Sequence, residues 1–471
     1  MFRRISQFCK QLFDSSADEQ AEETQLQADA SGLTIVARNN HDISRRQISE
    51  NALKVLYRLH KSGFQAYLVG GGVRDILLGL EPKDFDVVTN ATPEEIKRLF
   101  RNCRLVGRRF RLAHIVFGRD VIEVATLRGH HESNGNNDKV SKSNAQGRLL
   151  RDNVYGTIDE DAERRDFSVN ALYYDISDYS IHSYSGGIQD LDQRIIRLIG
   201  DPETRYREDP VRMLRAVRFA TKLDMQIEPR TAEPIRELAP LLKGIPAARM
   251  YEEVLKLFFS GKAAANLEMM QDFDLFEPLF PQIDALLQDS PKGSMAKMLD
   301  AVMRNTDLRV AQDKPVTPAF FYAALLWYPL KQRADDIALE SGLSIYDANV
   351  AAMGDVMEQQ CRTISIPRRF STPAKDIWQL QLRLERSQSA RAFKLLEHPK
   401  FRAAYDLLLL RAEAEGGTAA KVASWWTSFV EGDEQTRSDM VKKGKGNQRN
   451  RNAQQRRRRR KPANKKPAGE S

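Results

Sequence analysis

Between residues 49 and 126 the spacing of apolar positions changes several times, and each change marks an element. Ala52, Leu53, Leu56, Leu59 and His60 follow helical spacing, and Gly63 closes that helix. Ala66-Tyr67-Leu68-Val69 is a short apolar run between polar residues, the pattern of a buried strand. Gly70-Gly71-Gly72 then makes a turn, and Val73 to Leu78 opens a second helix. Asp84-Phe85-Asp86-Val87 alternates with period two, so a strand here turns both carboxylates to one face and Phe85 and Val87 to the core. Thr92-Pro93-Glu94-Glu95 is a capping box with proline at the first helical position, and Ile96, Leu99 and Phe100 form the apolar stripe of its helix. Phe110 to Phe117 and Val121 to Thr126 alternate around Gly118-Arg119-Asp120, which predicts a hairpin.

The flanks read differently. Residues 1–48 are expected to be a disordered lead-in, polar and acidic from 14 onward, although Phe2 to Phe13 is weakly amphipathic and basic. We read that segment as a frayed helix, with peripheral membrane contact or a partner dock as secondary readings. His130 to Asn153, rich in Ser, Asn, Gly and Lys, is expected to be a long loop. Ala319 to Tyr328 is the longest apolar run, too short to span a membrane, and predicts a core helix that stops at Pro329.

Composition changes this picture in two places. The net charge is +9, but Lys442 to Lys466 holds 13 Lys/Arg and no acid, so the rest of the chain is net acidic. This tail, including Arg456, Arg457, Arg458, Arg459 and Arg460, is expected to be disordered and to tether a polyanion without reading sequence, RNA phosphates being the preferred one and membrane phospholipid or a merely solvated charge run the alternatives. Only three cysteines occur and none form a Cys-x-x-Cys pair, which excludes a disulfide framework and a zinc module and fits a reducing cytoplasm.

The candidate chemistry lies where the glycines meet the aspartates. Without Cβ atoms, Gly70, Gly71 and Gly72 can bring backbone N–H groups against phosphate oxygens, and Arg74 adds positive charge. Asp84 and Asp86 repel each other at neutral pH, which divalent cations relieve, and Glu123 is the candidate third carboxylate from a neighbouring strand. A dinucleotide fingerprint fails at Asp75, and no P-loop occurs.

These residues resemble the class II nucleotidyltransferases of the polymerase-beta superfamily, the group that contains bacterial poly(A) polymerase and the tRNA CCA-adding enzymes. Arg164-Arg165-Asp166-Phe167-Ser168-Val169-Asn170 is similar to the second motif of that family, and Gly186-Gly187 with Asp190-Leu191 and Ile196-Arg197 to the third. Glu208-Asp209-Pro210-x-Arg212-x-x-Arg215-x-x-Arg218-Phe219-Ala220 resembles the fourth.

The resemblance implies an α+β fold: a head with a mixed five-stranded sheet (49–200), a helical neck with the base-recognition motif (201–265), an RNA-binding helical body and leg (266–435), and a basic tail (436–471). It also implies that Asp84 and Asp86 bind Mg2+ or Mn2+ and that Asp166 is catalytic. Gly71, Gly72, Arg74, Arg165, Asn170 and Arg215 are expected at the nucleotide. Asp209 and Arg212, three residues apart on one helix face, can meet the acceptor and donor order of adenine or cytosine, but not of uracil or guanine.

Leu105 to Ile115 resembles the segment that marks the polyadenylating members. The expected activity is therefore AMP addition from ATP to RNA 3′ ends by a monomer, with RNA-decay machinery as partner. CCA addition to tRNA is the alternative, and a catalytically silent RNA-binding adaptor is a remote one. In the helical remainder, Arg368, Arg369, Arg383, Arg386, Arg391, Lys394, Lys400 and Arg402 form a possible RNA track. Trp378, Phe393 and Tyr405 are interleaved with them as either core residues or base platforms.

Overall fold

The computed structural model describes residues 32–107, 111–129, 141–143, 149–152, 154–386 and 389–442. Phe2 to Phe13, Arg108 to Phe110, residues 130–140 and Arg456 to Arg460 lie outside the described residues. The chain divides into two compact units, 1–241 and 242–471, and the helices expected as a neck fall on both sides of that division.

In the first unit β1 (Thr34–Val36) is followed by α1 (Glu50–Lys61), β2 (Ala66–Val69), α2 (Gly71–Leu77), β3 (Asp86–Thr89) and α3 (Pro93–Leu99). Next come β4 (Cys103–Val106), β5 (Leu112–Phe117), β6 (Asp120–Thr126), β7 (Ser141–Ser143), β8 (Leu149–Asp152), α4 (Ile158–Glu163), β9 (Leu172–Asp175) and β10 (Ile181–Ser183). The main sheet is mixed and eight-stranded, in the order β1-β10-β9-β2-β3-β6-β5-β4, rather than five-stranded. Within this sheet, among the described residues, β3 and β6 are the one parallel pair.

One of the corrections has a local cause. The lead-in is ordered from residue 32, because Thr34-Ile35-Val36 is β-branched throughout and pairs with β10. The expected loop from His130 to Asn153 includes the β7–β8 pair. The hairpin at Gly118-Arg119-Asp120 forms, with Phe117 opposite Asp120. The capping box also forms: the Thr92 hydroxyl accepts from the Glu95 N–H, and the Glu95 carboxylate accepts from the Thr92 N–H at 2.8 Å.

Alternation fixes which residues face which layer. Tyr67, Val69, Val88 and Tyr173 are buried with Leu127, Ala162, Ala171, Tyr184 and Ile199 in one core cluster. Ala52, Val55, Leu56 and Leu59 are the buried positions of α1. Each fully buried side chain of this kind contributes about 1.5–3 kcal/mol.

Residues 242–471 fold, where described, as helices. The run from Ala319 does not end at Pro329. One helix spans Pro318–Leu325, and a new one, Trp327–Ser341, carries Pro329 in its first turn. First-turn N–H groups have no intrahelical acceptor, so the proline costs little there. Trp378 is core: it is fully buried and its indole N–H donates to the Ala323 carbonyl at 2.8 Å. Tyr405 is also buried and its hydroxyl pairs with Thr427 at 2.7 Å, while Phe393 packs edge-on against Phe429. No helix among the described residues is long and apolar enough to cross a membrane.

Removing one cap tests this account of the first unit. Thr92→Ala should lower unfolding free energy by about 1 kcal/mol, measured as a lower urea midpoint at unchanged slope.

Candidate active site

The site begins at Gly70, between β2 and α2. Its backbone has φ 67° and ψ −123°, a left-handed conformation that a side chain would strain. The Gly70 N–H donates to the Leu172 carbonyl at 3.0 Å, which ties the turn to β9. A Cβ on Gly72 would stand 3.5 Å from the Phe85 ring and 3.6 Å from the Asp84 carbonyl, so the start of α2 runs beside the carboxylate segment.

Asp84 does not share a strand with Asp86. β3 begins at Asp86, and Asp84 lies in the extended approach to it, with both residues open to solvent. Val87 is buried as expected, whereas Phe85 is half-buried against Gly72. Asp86 is opposite Val69, and Val69 is opposite Tyr173, so the three share one sheet face. Carrying the Val87–Val124 pairing back one position puts Glu123 beside Asp86 on that face. Glu123 in turn is opposite His114, whose Nε2 lies 3.4 Å from its carboxylate.

Asp86 as a residue is exposed to solvent, but its carboxyl group is closely surrounded by protein. That burial pushes its carboxyl up to about 6; Glu123 and Asp84 push in the same direction and Arg165 opposes them. Among the described residues no three His, Cys, Asp or Glu side chains converge as a ready metal cluster. Two carboxylates that repel each other at the mouth of a site still suit a hard divalent ion, which completes its shell with substrate phosphates and water.

Beside this carboxylate edge lies a network of buried charge. Arg74 does not face outward: its guanidinium is buried and donates to Asp75 at 2.5 and 2.8 Å and to the Asn170 carboxamide oxygen at 2.6 Å. The Asn170 amide donates to Asp166 at 3.0 Å. Asp166 also accepts from the Phe167 N–H at 2.9 Å and from Arg215 Nε at 2.7 Å. Burial alone would raise the Asp166 carboxyl, but Arg215 and these donors outweigh it and hold it at about 2. Arg165 donates to Asp161 and Tyr173, and its Nη1 lies 3.4 Å from the point a Cβ on Gly70 would occupy.

Arg215 belongs to α7 (Val211–Leu223), which follows α5 (Gly187–Gln193) and α6 (Pro202–Glu208). Asp209 and Arg212 do not share that helix. Asp209 precedes Pro210 and is extended, φ −146° and ψ 92°, because the proline ring disfavours helical backbone before it. Arg212 occupies the first turn of α7 and donates to Glu208 at 2.6 Å and to the Arg205 carbonyl at 2.7 Å. Arg205 itself donates to the carbonyls of Arg164 and Arg165 at 2.9 and 2.8 Å.

Positive charge therefore exceeds negative charge here. Burial, then the neighbouring Arg128, lowers Arg164 to about 10, with Arg205 and Arg212 adding to the effect and Glu208 opposing it. Such a surplus favours a polyanion. Sequence reading missed Asp161, Tyr173 and Arg205 as parts of the site, and named Glu208 only as a motif residue without a part in it. Asp161 was accessible to it, lying four residues before Arg165 and one after the Thr157/Glu160 capping box.

The sequence matches three descriptions in order: Poly A polymerase head domain over residues 66–197, Probable RNA and SrmB- binding site of polymerase A over 224–287, and Polymerase A arginine-rich C-terminus over 341–463. It is 54% identical to Poly(A) polymerase I of Salmonella typhimurium over 430 residues, 91% of this chain and 92% of that protein. The chain belongs to the poly(A) polymerase family. A CCA-adding enzyme of Lactobacillus helveticus is 35% identical over 53% of the chain and 60% of its own length. The crystal structure of the Bacillus stearothermophilus CCA-adding enzyme in complex with CTP has the same fold, with a TM-score of 0.52 at 24% identity over 80% of this chain and 81% of that one. As a family member the chain is an RNA nucleotidyltransferase that uses ATP and a divalent metal.

The Asp166 carboxyl makes acid stability a direct readout of this member's network. A depressed pKa contributes stability that is complete above the unfolded value near 4 and is lost as pH falls through about 2. Asp166→Asn should cost about 2 kcal/mol at neutral pH. Its urea midpoint should then fall less than that of the parent between about pH 4 and pH 2.

Proposed function

We propose that this chain is a template-independent poly(A) polymerase. The RNA 3′-oxygen attacks the α-phosphorus of ATP in line, its proton passes to solvent, the α–β bridging bond breaks, pyrophosphate leaves, and the RNA is one AMP longer. The observation that carries the reading is the meeting of Asp84 and Asp86, the Gly70 turn and the Arg165 edge at one end of β2 and β3. Asp84 and Asp86 would hold Mg2+ or Mn2+, whose contribution is Lewis-acid charge at the reacting phosphate. Glu123 is assigned an electrostatic part beside Asp86.

Gly71, Gly72 and Arg165 face the triphosphate in this reading, and Asp166 and Asn170 the ribose side. Asp166 can accept from a 2′-hydroxyl, the group that distinguishes ribonucleotides. Arg74 and Arg215 act from behind, each neutralising a buried acid. Asp209 and Arg212 read the base edge across the α6–α7 junction, and that chemistry accepts cytosine as readily as adenine. Support for adenine comes from the near full-length match to a polyadenylating relative, against half-length matching to a CCA-adding one.

We assign residues 49–200 to a head, 201–265 to a neck, 266–435 to an RNA-holding body and leg, and 436–471 to a basic tether. A cytoplasmic site, a monomeric state and a role in marking RNA for decay belong to the same proposal.

Incubation with each labelled nucleoside triphosphate and an unstructured RNA tests it. A long ladder with ATP alone is expected; addition confined to tRNA lacking its terminus would sink the poly(A) product. Asp84→Ala and Asp86→Ala should each lower AMP incorporation by about a thousandfold or more, roughly 4 kcal/mol of transition-state stabilisation, with unchanged thermal unfolding. Removing residues 443–471 should flatten the dependence of RNA affinity on salt while leaving the rate at saturating RNA intact; an unchanged slope would refute the tether.

A further inference from the structure

Arg165 projects from the end of α4 toward the Gly70 turn, and two residues outside the recognised motifs determine its direction. Its Nε donates to the Tyr173 hydroxyl at 2.8 Å, and its Nη2 donates to Asp161 Oδ2 at 3.0 Å. The Tyr173 hydroxyl closes the triangle by donating to the same Asp161 oxygen at 2.8 Å. The guanidinium carbon lies 5.0 Å from the Tyr173 ring centroid, so ring and hydroxyl both hold it.

A guanidinium has five N–H donors in a fixed fork. The triangle occupies the Nε and Nη2 side, which leaves Nη1 as the edge toward the turn, 3.4 Å from where a Gly70 Cβ would stand. Asp161 Oδ1 accepts from the Arg128 N–H at 3.2 Å, so the carboxylate cannot swing without disturbing the chain after β6. Tyr173 and Asp161 are both buried. Burial drives the Tyr173 hydroxyl well above its ordinary range, so it remains the neutral donor that this geometry requires.

We propose that Asp161 and Tyr173 are positioning residues that aim the Nη1 edge of Arg165 at the triphosphate of the incoming nucleotide. The inference rests on the nucleotidyl-transfer reading of this site and adds how its phosphate affinity arises. A long side chain free to rotate would lose rotamer entropy on each binding event; the buried triangle removes that cost in advance.

The test measures ATP affinity on the full chain, by steady-state kinetics with an unstructured RNA primer and by equilibrium binding of a fluorescent ATP analogue without RNA. Tyr173→Phe keeps the ring and removes only the hydroxyl. It should raise KM for ATP and the analogue Kd about tenfold, with kcat within about twofold of the parent. Asp161→Asn should move both in the same direction by a larger factor. Should it fail to fold, Tyr173→Phe decides alone.

In an Arg165→Ala background, Tyr173→Phe should produce no further change, because its effect passes through Arg165. Unchanged ATP affinity in Tyr173→Phe, or an undiminished effect in the Arg165→Ala background, would overturn the proposal. An inactive parent would instead overturn the functional reading, whereas an active parent with indifferent variants rejects only the positioning role.

Discussion

The carboxylate of Asp166 is the point on which the site depends. It accepts from its own loop at the Phe167 N–H, from Asn170 and from Arg215 of α7. Asn170 passes the connection to Arg74 and Asp75 in α2, the helix that begins at the glycine turn. One largely buried anion thus joins the glycine turn to α7, the helix that carries Arg212 and Arg215. A buried charge is tolerated only when paired and hydrogen-bonded, and removing one partner leaves the other uncompensated. The geometry is rigid because every alternative leaves a charge buried and unpaired.

The same rule explains why arginines crowd here. Arg128, Arg164 and Arg205 are all shifted downward, burial being the first cause in each case, and neighbouring guanidinium groups add to it. Glu208 is one of the acids among them, held low by Arg212 and Arg205 against the effect of burial. On the opposite edge Asp84, Asp86 and Glu123 concentrate negative charge, and Asp86 is shifted upward. Neither edge is at electrostatic rest. A nucleoside triphosphate with a divalent ion supplies the polyanion that one edge lacks and the cation that the other lacks.

Much of this was legible in the sequence because it is local. The capping box at Thr92 and the hairpin at Gly118 depend on residues a few positions apart and formed as read, while the glycine turn narrowed to Gly70, because Gly71 and Gly72 already belong to α2. Position along an element was harder to read. Period two placed Asp84 and Asp86 on one strand, yet pairing with β2 stops at Val69, and β3 accordingly starts at Asp86. Helical spacing placed Asp209 with Arg212, although Pro210 between them already argued for a break. The triangle of Asp161, Arg165 and Tyr173 and the three extra strands were not legible, because they depend on which distant segments pair across the sheet.

That break at Pro210 bears on how a protein without a template could select a base. On one continuous helix, Asp209 and Arg212 would move together and present donors and acceptors at a fixed spacing. The α6–α7 junction breaks that helix, yet the two remain tied: the Arg212 N–H donates to the Asp209 carbonyl at 3.0 Å and the Val211 N–H to the Asp209 carboxylate at 3.4 Å. Arg212 is pinned by Glu208 and the Arg205 carbonyl, while Asp209 is placed by the extended backbone ahead of the proline. Adenine and cytosine present the same donor and acceptor order and differ in ring size, so an acceptor and a donor alone do not distinguish them. Pro210 and Glu208 thus fix where Asp209 and Arg212 stand, and a substitution at either shifts that arrangement while leaving both side chains in the chain.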